Sequence, residues 1–168
     1  MRRLLLLRHA KAERLQPGGG DHDRVLAERG RADAKKLGLY LARHAFAPDR
    51  AVVSTSARTR ETWTLLATAF AKAPPVSFED RIYNATPQAI LQVIRENKPE
   101  TGTLLVIGHN PTIAVVAQLL DDGSGDEAAD QEMTAGFPTS ALAVFEYDGK
   151  WSDLEPGTAR LTAFHSPH

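Results

Sequence analysis

Three stretches of this chain bring basic and imidazole side chains to places where they could handle a phosphoryl group. Arg8 and His9 follow the run Leu4-Leu5-Leu6-Leu7, and His109 follows Leu104-Leu105-Val106-Ile107-Gly108. Arg58 stands just beyond Ala51-Val52-Val53 and the polar stretch Ser54-Thr55-Ser56. Arginine offers forked, permanently charged contacts to phosphate oxygens. Each such charge-assisted bond is worth about 1.5–3 kcal/mol. A neutral imidazole, with an ordinary pKa of ~6.5, keeps a lone pair at neutral pH. It can attack phosphorus and carry the group as a phosphohistidine. One histidine then acts as nucleophile and the other stabilises charge on the transferring group. Residue chemistry alone does not choose between His9 and His109.

The elements around these residues support that placement. Four consecutive leucines read as a strand buried on both faces, as in a parallel sheet, and Leu104 to Gly108 reads the same way. Ligands in open α/β sheets bind just beyond the carboxyl ends of the strands. If the two strands are parallel neighbours, His9 and His109 meet at one edge of the sheet. Ser56 is a suitable N-cap for a helix from Ala57, which puts Arg58 in a first turn that already favours anions. Trp63, Leu66, Ala67 and Phe70 form that helix's apolar stripe.

The rest of the chain supplies alternating strands and helices. A helix running to about Ala45 carries Ala34, Leu37, Leu41 and His44 on one face. Val76-Ser77-Phe78 reads as a short edge strand, and Glu79 to Asn84 as a loop. Thr86-Pro87 and Asn110-Pro111 each pair a capping residue with proline at the first helical position. Lys11 to Asp23, with Pro17-Gly18-Gly19-Gly20, reads as a mobile loop that lacks the spacing of a nucleotide-binding glycine loop. Asp121 to Glu132 fails calcium-loop spacing and reads as a solvated connector. Two strands follow, over Ala141 to Tyr147 and Ala159 to His165, and no repeat or linker divides residues 1–168, so one domain is expected.

Composition narrows the function classes. The 168 residues are 42% hydrophobic and 24% charged, with a formal net charge of −1. That balance gives no bulk attraction to nucleic acid or an anionic membrane, so anion affinity must come from a local cluster. The chain contains no cysteine, which removes disulfides and thiolate chemistry and suits a reducing, cytoplasmic setting. The opening run of four leucines is too short for a signal peptide, and no stretch approaches the ~20 apolar residues of a membrane span. Asp21-His22-Asp23 is the nearest approach to a metal-ligand cluster, and neither a metal nor another cofactor is expected.

Taken together, these motifs resemble the histidine phosphatase, or phosphoglycerate mutase-like, superfamily, and within it the small SixA-type phosphohistidine phosphatases. Arg8-His9-Ala10 stands where the superfamily has Arg-His-Gly. Ser54 to Thr62 matches its second motif, with serine four before Arg58 and threonine four after. Gly108-His109-Asn110-Pro111 matches the second histidine motif. Asp23-Arg24-Val25-Leu26 with Glu28-Arg29-Gly30 resembles an early Asp-x-x-Arg-x-Leu…Gly segment. The resemblance implies a three-layer α/β/α sandwich with a mostly parallel central sheet. It implies His9 as the phosphorylated nucleophile, with Arg8, Arg58 and His109 as the phosphate pocket and Arg24 as a further substrate contact. The reaction implied is hydrolysis of a phosphoester or phosphoramidate without a metal.

Two departures from the family pattern stand out. Ala10 replaces the usual glycine and would be strained if that position needed a positive φ. Larger members carry a general-acid carboxylate after the third strand, where this chain has Asn84, with Glu79 and Asp80 nearby as candidates. A missing acid penalises alkoxide leaving groups by up to about 10²–10⁴-fold and imidazole leaving groups less. The expected partner is therefore a protein bearing phosphohistidine. The alternatives are a broad small-molecule phosphomonoesterase and a non-catalytic module that binds phosphorylated ligands.

Overall fold

The structure is a computed structural model and describes residues 1–167. Six strands form one sheet: β1 (Arg2–Arg8), β2 (Arg50–Ser54), β3 (Val76–Glu79), β4 (Thr103–Gly108), β5 (Leu142–Tyr147) and β6 (Arg160–His165). Their order is β3-β2-β4-β1-β5-β6. The pairs β3–β2, β2–β4 and β4–β1 are parallel, and β5 runs antiparallel to both β1 and β6.

The leucine run of β1 explains the layers. Successive side chains of a strand point to opposite faces. Leu5 and Leu7 pack with Leu37 and Leu41 of α1 (Glu28–Arg43) and with Trp63 and Leu66 of α2 (Ala57–Ala67). Leu4 and Leu6 pack on the other face with α3 (Pro87–Arg95), α4 (Thr112–Leu120) and α5 (Glu127–Ala135). Leu4, Leu5, Leu6 and Leu7 are all fully buried, as a strand covered by helices on both sides must be. This is the three-layer α/β/α architecture with a mostly parallel sheet that the resemblance implies.

Several local expectations change. The acidic stretch read as a connector runs into α5, capped by the Asp126 side chain, which accepts from Ala129 N at 2.8 Å. Its buried side is only Ala129 and Met133, too sparse a stripe to stand out from sequence. Helix α1 stops at Arg43, and His44 is an exposed C-cap rather than part of the buried face. Helix α4 begins at Thr112 after Pro111, and the Asn110 amide is used elsewhere. Ser56 and Thr86 do cap α2 and α3, accepting from Thr59 N and Ala89 N. Ala10 is fully buried beside Leu26 and Ala34, and it is not among the positive-φ residues, so alanine fits there without strain.

Helices α1 and α2 approach closely at Gly38. A Cβ there would lie 2.2 Å from the Leu66 carbonyl oxygen and 3.0 Å from Ala69 Cβ. The Gly38→Ala substitution should therefore destabilise by about 1–3 kcal/mol despite the better helix propensity of alanine. A Cβ at Gly136 meets nothing within 4 Å, so Gly136→Ala should leave stability nearly unchanged. Denaturant titration of both variants checks the contrast.

Candidate active site

Parallel pairing of β1 with β4 aligns Arg8 opposite Gly108. One residue further on, the two histidines emerge together. The His9 N–H donates to the Gly108 carbonyl at 3.1 Å, and the imidazole ring centroids lie 5.3 Å apart. Both rings line a cavity of about 230 Å³ shared with Arg8, Lys11, Ala12, Arg24, Arg58, Asn110 and Thr139. A larger cleft of about 420 Å³ lies beside β3 and the end of α3, lined by Arg50, Glu79 and Lys98 among others, and includes neither histidine.

The two imidazoles are held differently. His9 Nδ1 is 2.7 Å from the Ala10 carbonyl oxygen. A carbonyl only accepts, so Nδ1 carries the proton and Nε2 keeps the lone pair. Ala10 is itself anchored: its N–H donates to Thr62 Oγ1 at 3.1 Å, and that hydroxyl donates to the Arg58 carbonyl at 2.7 Å. His109 Nε2 lies 2.8 Å from Ser54 Oγ, while its Nδ1 is buried without a hydrogen-bond partner among the described residues. Beneath the site, the Ser140 N–H donates to both the Arg8 and His9 carbonyls. Ser140 has φ +67 and is fully buried, so a left-handed serine secures the carboxyl end of β1.

Burial holds both histidines neutral. It lowers the His9 pKa to about 3, with His109, Arg58 and Arg8 pushing the same way and the Ala10 carbonyl opposing. Burial likewise lowers His109 to about 4, with Arg58 reinforcing and Asp21 opposing.

The arginines arrive from three elements. Arg8 ends β1, and its Nη1 donates to the Phe137 carbonyl at 3.1 Å, which also accepts from Asn110 Nδ2 at 2.7 Å. Arg58 lies in the first turn of α2 and is only 7% exposed. Its Nη1 and Nη2 donate to the carbonyl and carboxylate of Asp21 at 2.9 and 3.1 Å. Arg24 donates to Asp21 Oδ1 at 3.1 Å and to the Glu13 carbonyl at 2.8 Å. The cavity thus brings together Arg8, His9, Arg24, Arg58 and His109.

Glu79 and Asp80 are not among the residues lining it. Glu79 accepts from Arg81 Nε at 2.9 Å, which holds its carboxyl below the usual range, and it faces the larger cleft. Asp80 Oδ1 accepts from Thr55 Oγ1 at 2.8 Å. Asn84 is a left-handed turn residue with φ +53. Asp21 is engaged by two guanidinium groups and by the Tyr83 hydroxyl, which donates to Oδ2 at 2.6 Å. It is therefore an arginine partner rather than a metal ligand. It also stands three residues before Arg24, so the spacing Asp-x-x-Arg falls on Asp21 and not on Asp23. That spacing was the available signal for Asp21. Lys11, Asn110 and Thr139 gave no signal as cavity residues, because each reads as an ordinary loop or cap residue.

Comparison with known proteins bears on the family and the fold. The profile of the histidine phosphatase superfamily (branch 1) matches residues 4–84. An uncharacterized protein of Mycobacterium tuberculosis is 40% identical over 162 residues, covering 96% of this chain and 99% of the relative. Two solved structures described as candidate phosphohistidine phosphatases SixA are similar over nearly their full length. The one from Nakamurella multipartitia has TM-score 0.85 and 31% identity, covering 99% of this chain and 96% of its own. The one from Agrobacterium tumefaciens has TM-score 0.83 and 32% identity, covering 99% and 98%.

Two histidines buried neutral make stability depend on pH. The folded pKa values of about 3 and about 4 lie below the ordinary 6.5, so below that value the unfolded chain binds more protons. Their contribution is complete above pH 6.5 and is lost as pH falls toward the folded values. Each histidine should cost about 1.4 kcal/mol per pH unit across that window. Urea titrations between pH 7 and 4.5 should show a shallower pH dependence for His9→Gln and His109→Gln than for the parent. Equal slopes in all three would contradict the buried neutral assignment.

Proposed function

The chain belongs to the histidine phosphatase superfamily and is a phosphatase, and on that premise we propose that it removes phosphate from phosphohistidine on a partner protein through a phosphorylated His9. The observation that carries this reading is the His9 ring: Nδ1–H is tied to the Ala10 carbonyl at 2.7 Å, which leaves Nε2 as an unprotonated nucleophile in a cavity lined by Arg8, Arg58 and His109.

The reaction divides into two displacements. His9 Nε2 attacks phosphorus, and the bond from phosphorus to the leaving imidazole nitrogen breaks. The departing ring takes up a proton from solvent. As positive charge builds on His9, the Ala10 carbonyl stabilises the Nδ1–H. Arg8 and Arg58 bear the charge of the phosphoryl oxygens, and His109 supplies further stabilisation. Water then attacks phosphorus, the bond to Nε2 breaks, and inorganic phosphate leaves with His9 restored.

Leaving-group chemistry supports phosphohistidine over alkyl phosphates. None of the nine residues lining the cavity is Asp or Glu, and Glu79 and Asp80 are bound to Arg81 and Thr55. An alkoxide leaves poorly without a carboxylic acid to protonate it, whereas imidazole takes up a proton near neutral pH unaided. The similarity to proteins described as candidate phosphohistidine phosphatases points the same way.

Phosphate release from a phosphohistidine-bearing protein, a phosphoserine peptide and an aryl phosphate tests the proposal. The phosphohistidine protein should be hydrolysed well and the phosphoserine peptide at least about 10²-fold more slowly. His9→Ala should abolish turnover, and Arg58→Ala should lower it by about 10–100-fold. Comparable rates on phosphoserine would favour a broad phosphomonoesterase. Phosphate binding without turnover of any substrate would favour a binding module.

A further inference from the structure

One carboxylate touches both guanidinium groups on the outer wall of the cavity. Asp21 opens a single 3-10 turn, Asp21–Asp23, directly after the glycine run. Its Oδ1 accepts from Arg24 and its Oδ2 from Arg58, each at 3.1 Å. Its backbone carbonyl accepts a second bond from Arg58, at 2.9 Å. The Tyr83 hydroxyl donates to Oδ2 at 2.6 Å, and the Tyr83 ring lies edge-on to His109 with centroids 5.5 Å apart. Arg58 Nε has no hydrogen-bond partner among the described residues, and Nη1 and Nη2 both donate to Asp21.

Charge and geometry assign opposite effects to this residue. By Coulomb's law alone, a carboxylate beside a phosphate site repels the ligand. A carboxylate that fixes two guanidinium groups removes in advance the rotamer freedom that phosphate would otherwise have to freeze. The turn that carries Asp21 has its own ties, through His22 Nε2, 3.0 Å from Thr55 Oγ1, and through Asp23 N–H to the Gly20 carbonyl. Its carboxylate is 45% exposed and is not needed to fill the core. Hydrogen bonding by Tyr83, then by the two arginines, keeps that carboxylate ionised well below the usual range.

We propose that Asp21 is a positioning residue of the phosphate site, holding Arg58 and Arg24 in their binding geometry so that it strengthens phosphate affinity in spite of its charge. This rests on the phosphatase reading of the cavity. The sign of the effect decides between positioning and repulsion.

Calorimetric binding of inorganic phosphate, together with steady-state hydrolysis of an aryl phosphate, tests it in the parent, Asp21→Asn, Tyr83→Phe and Arg58→Ala. Asp21→Asn should weaken phosphate binding about tenfold and raise KM by a similar factor, with kcat within about threefold of the parent. Tyr83→Phe leaves both ion pairs in place and should weaken binding about two- to threefold. Phosphate binding by Asp21→Asn as tight as the parent's or tighter, with Arg58→Ala still defective, overturns the inference and leaves the phosphatase reading intact. If Asp21→Asn does not fold, an unchanged phosphate affinity in Tyr83→Phe overturns it instead. Equal phosphate binding by the parent and Arg58→Ala removes the proposed phosphate pocket around Arg58 and the inference with it.

Discussion

The structure depends first on the parallel register between β1 and β4. Arg8 sits opposite Gly108, and the chain leaves both strands one residue later at a histidine. A slip of one residue would turn every leucine of β1 to the other face and pull His9 away from His109. The buried leucines on both faces make such a slip costly. Gly108 contributes at the same point: a Cβ there would meet Ile113 at 2.9 Å, so a small residue lets α4 close down beside His109.

With the histidines fixed, the surroundings decide their chemistry. Burial and the nearby Arg58 and Arg8 guanidinium groups favour neutral rings, and backbone and hydroxyl contacts orient them. His9 is tied to a carbonyl, so one tautomer is specified. His109 faces the Ser54 hydroxyl, which can donate or accept, so its tautomer is free to follow the charge on a bound group. This difference fits the proposed division of roles between His9 as nucleophile and His109 as stabiliser, which residue types alone could not make. Thr62 links the two halves of the site, since its hydroxyl joins the Ala10 N–H to the Arg58 carbonyl.

What was legible in the sequence follows from what each signal encodes. Continuous apolar runs ending in Arg-His and Gly-His report buried strands with a polar edge, and both the sheet and the histidine pair emerge from them. Caps with a local mechanism, at Ser56 and Thr86, were equally readable. Asn110 carried the same local signal, but a non-local bond to the Phe137 carbonyl uses its amide. Helix α5 was hidden because two buried residues in an acidic segment generate no clear period. Asp21 was hidden because Asp21-His22-Asp23 suggests a cation site, while the partners of Asp21 are Arg24 and the sequence-distant Arg58.

The two carboxylates nearest in sequence to the expected acid position show how pairing removes a group from catalysis without removing it from the chain. Glu79 ends β3 beside Ser54 of β2, one strand away from His109, yet its oxygens go to Arg81, and Arg81 also binds Glu96 at 2.7 Å. That exposed network lowers the glutamate's pKa, the opposite of what proton donation at neutral pH requires. Asp80 accepts from Thr55 and helps hold the turn that carries Asp21. The acidic groups of this region therefore brace the edge of the sheet and the turn beside the cavity's arginines. Under the proposed function the choice of substrate then falls to the leaving group itself, which would depart without an enzyme carboxylic acid to protonate it.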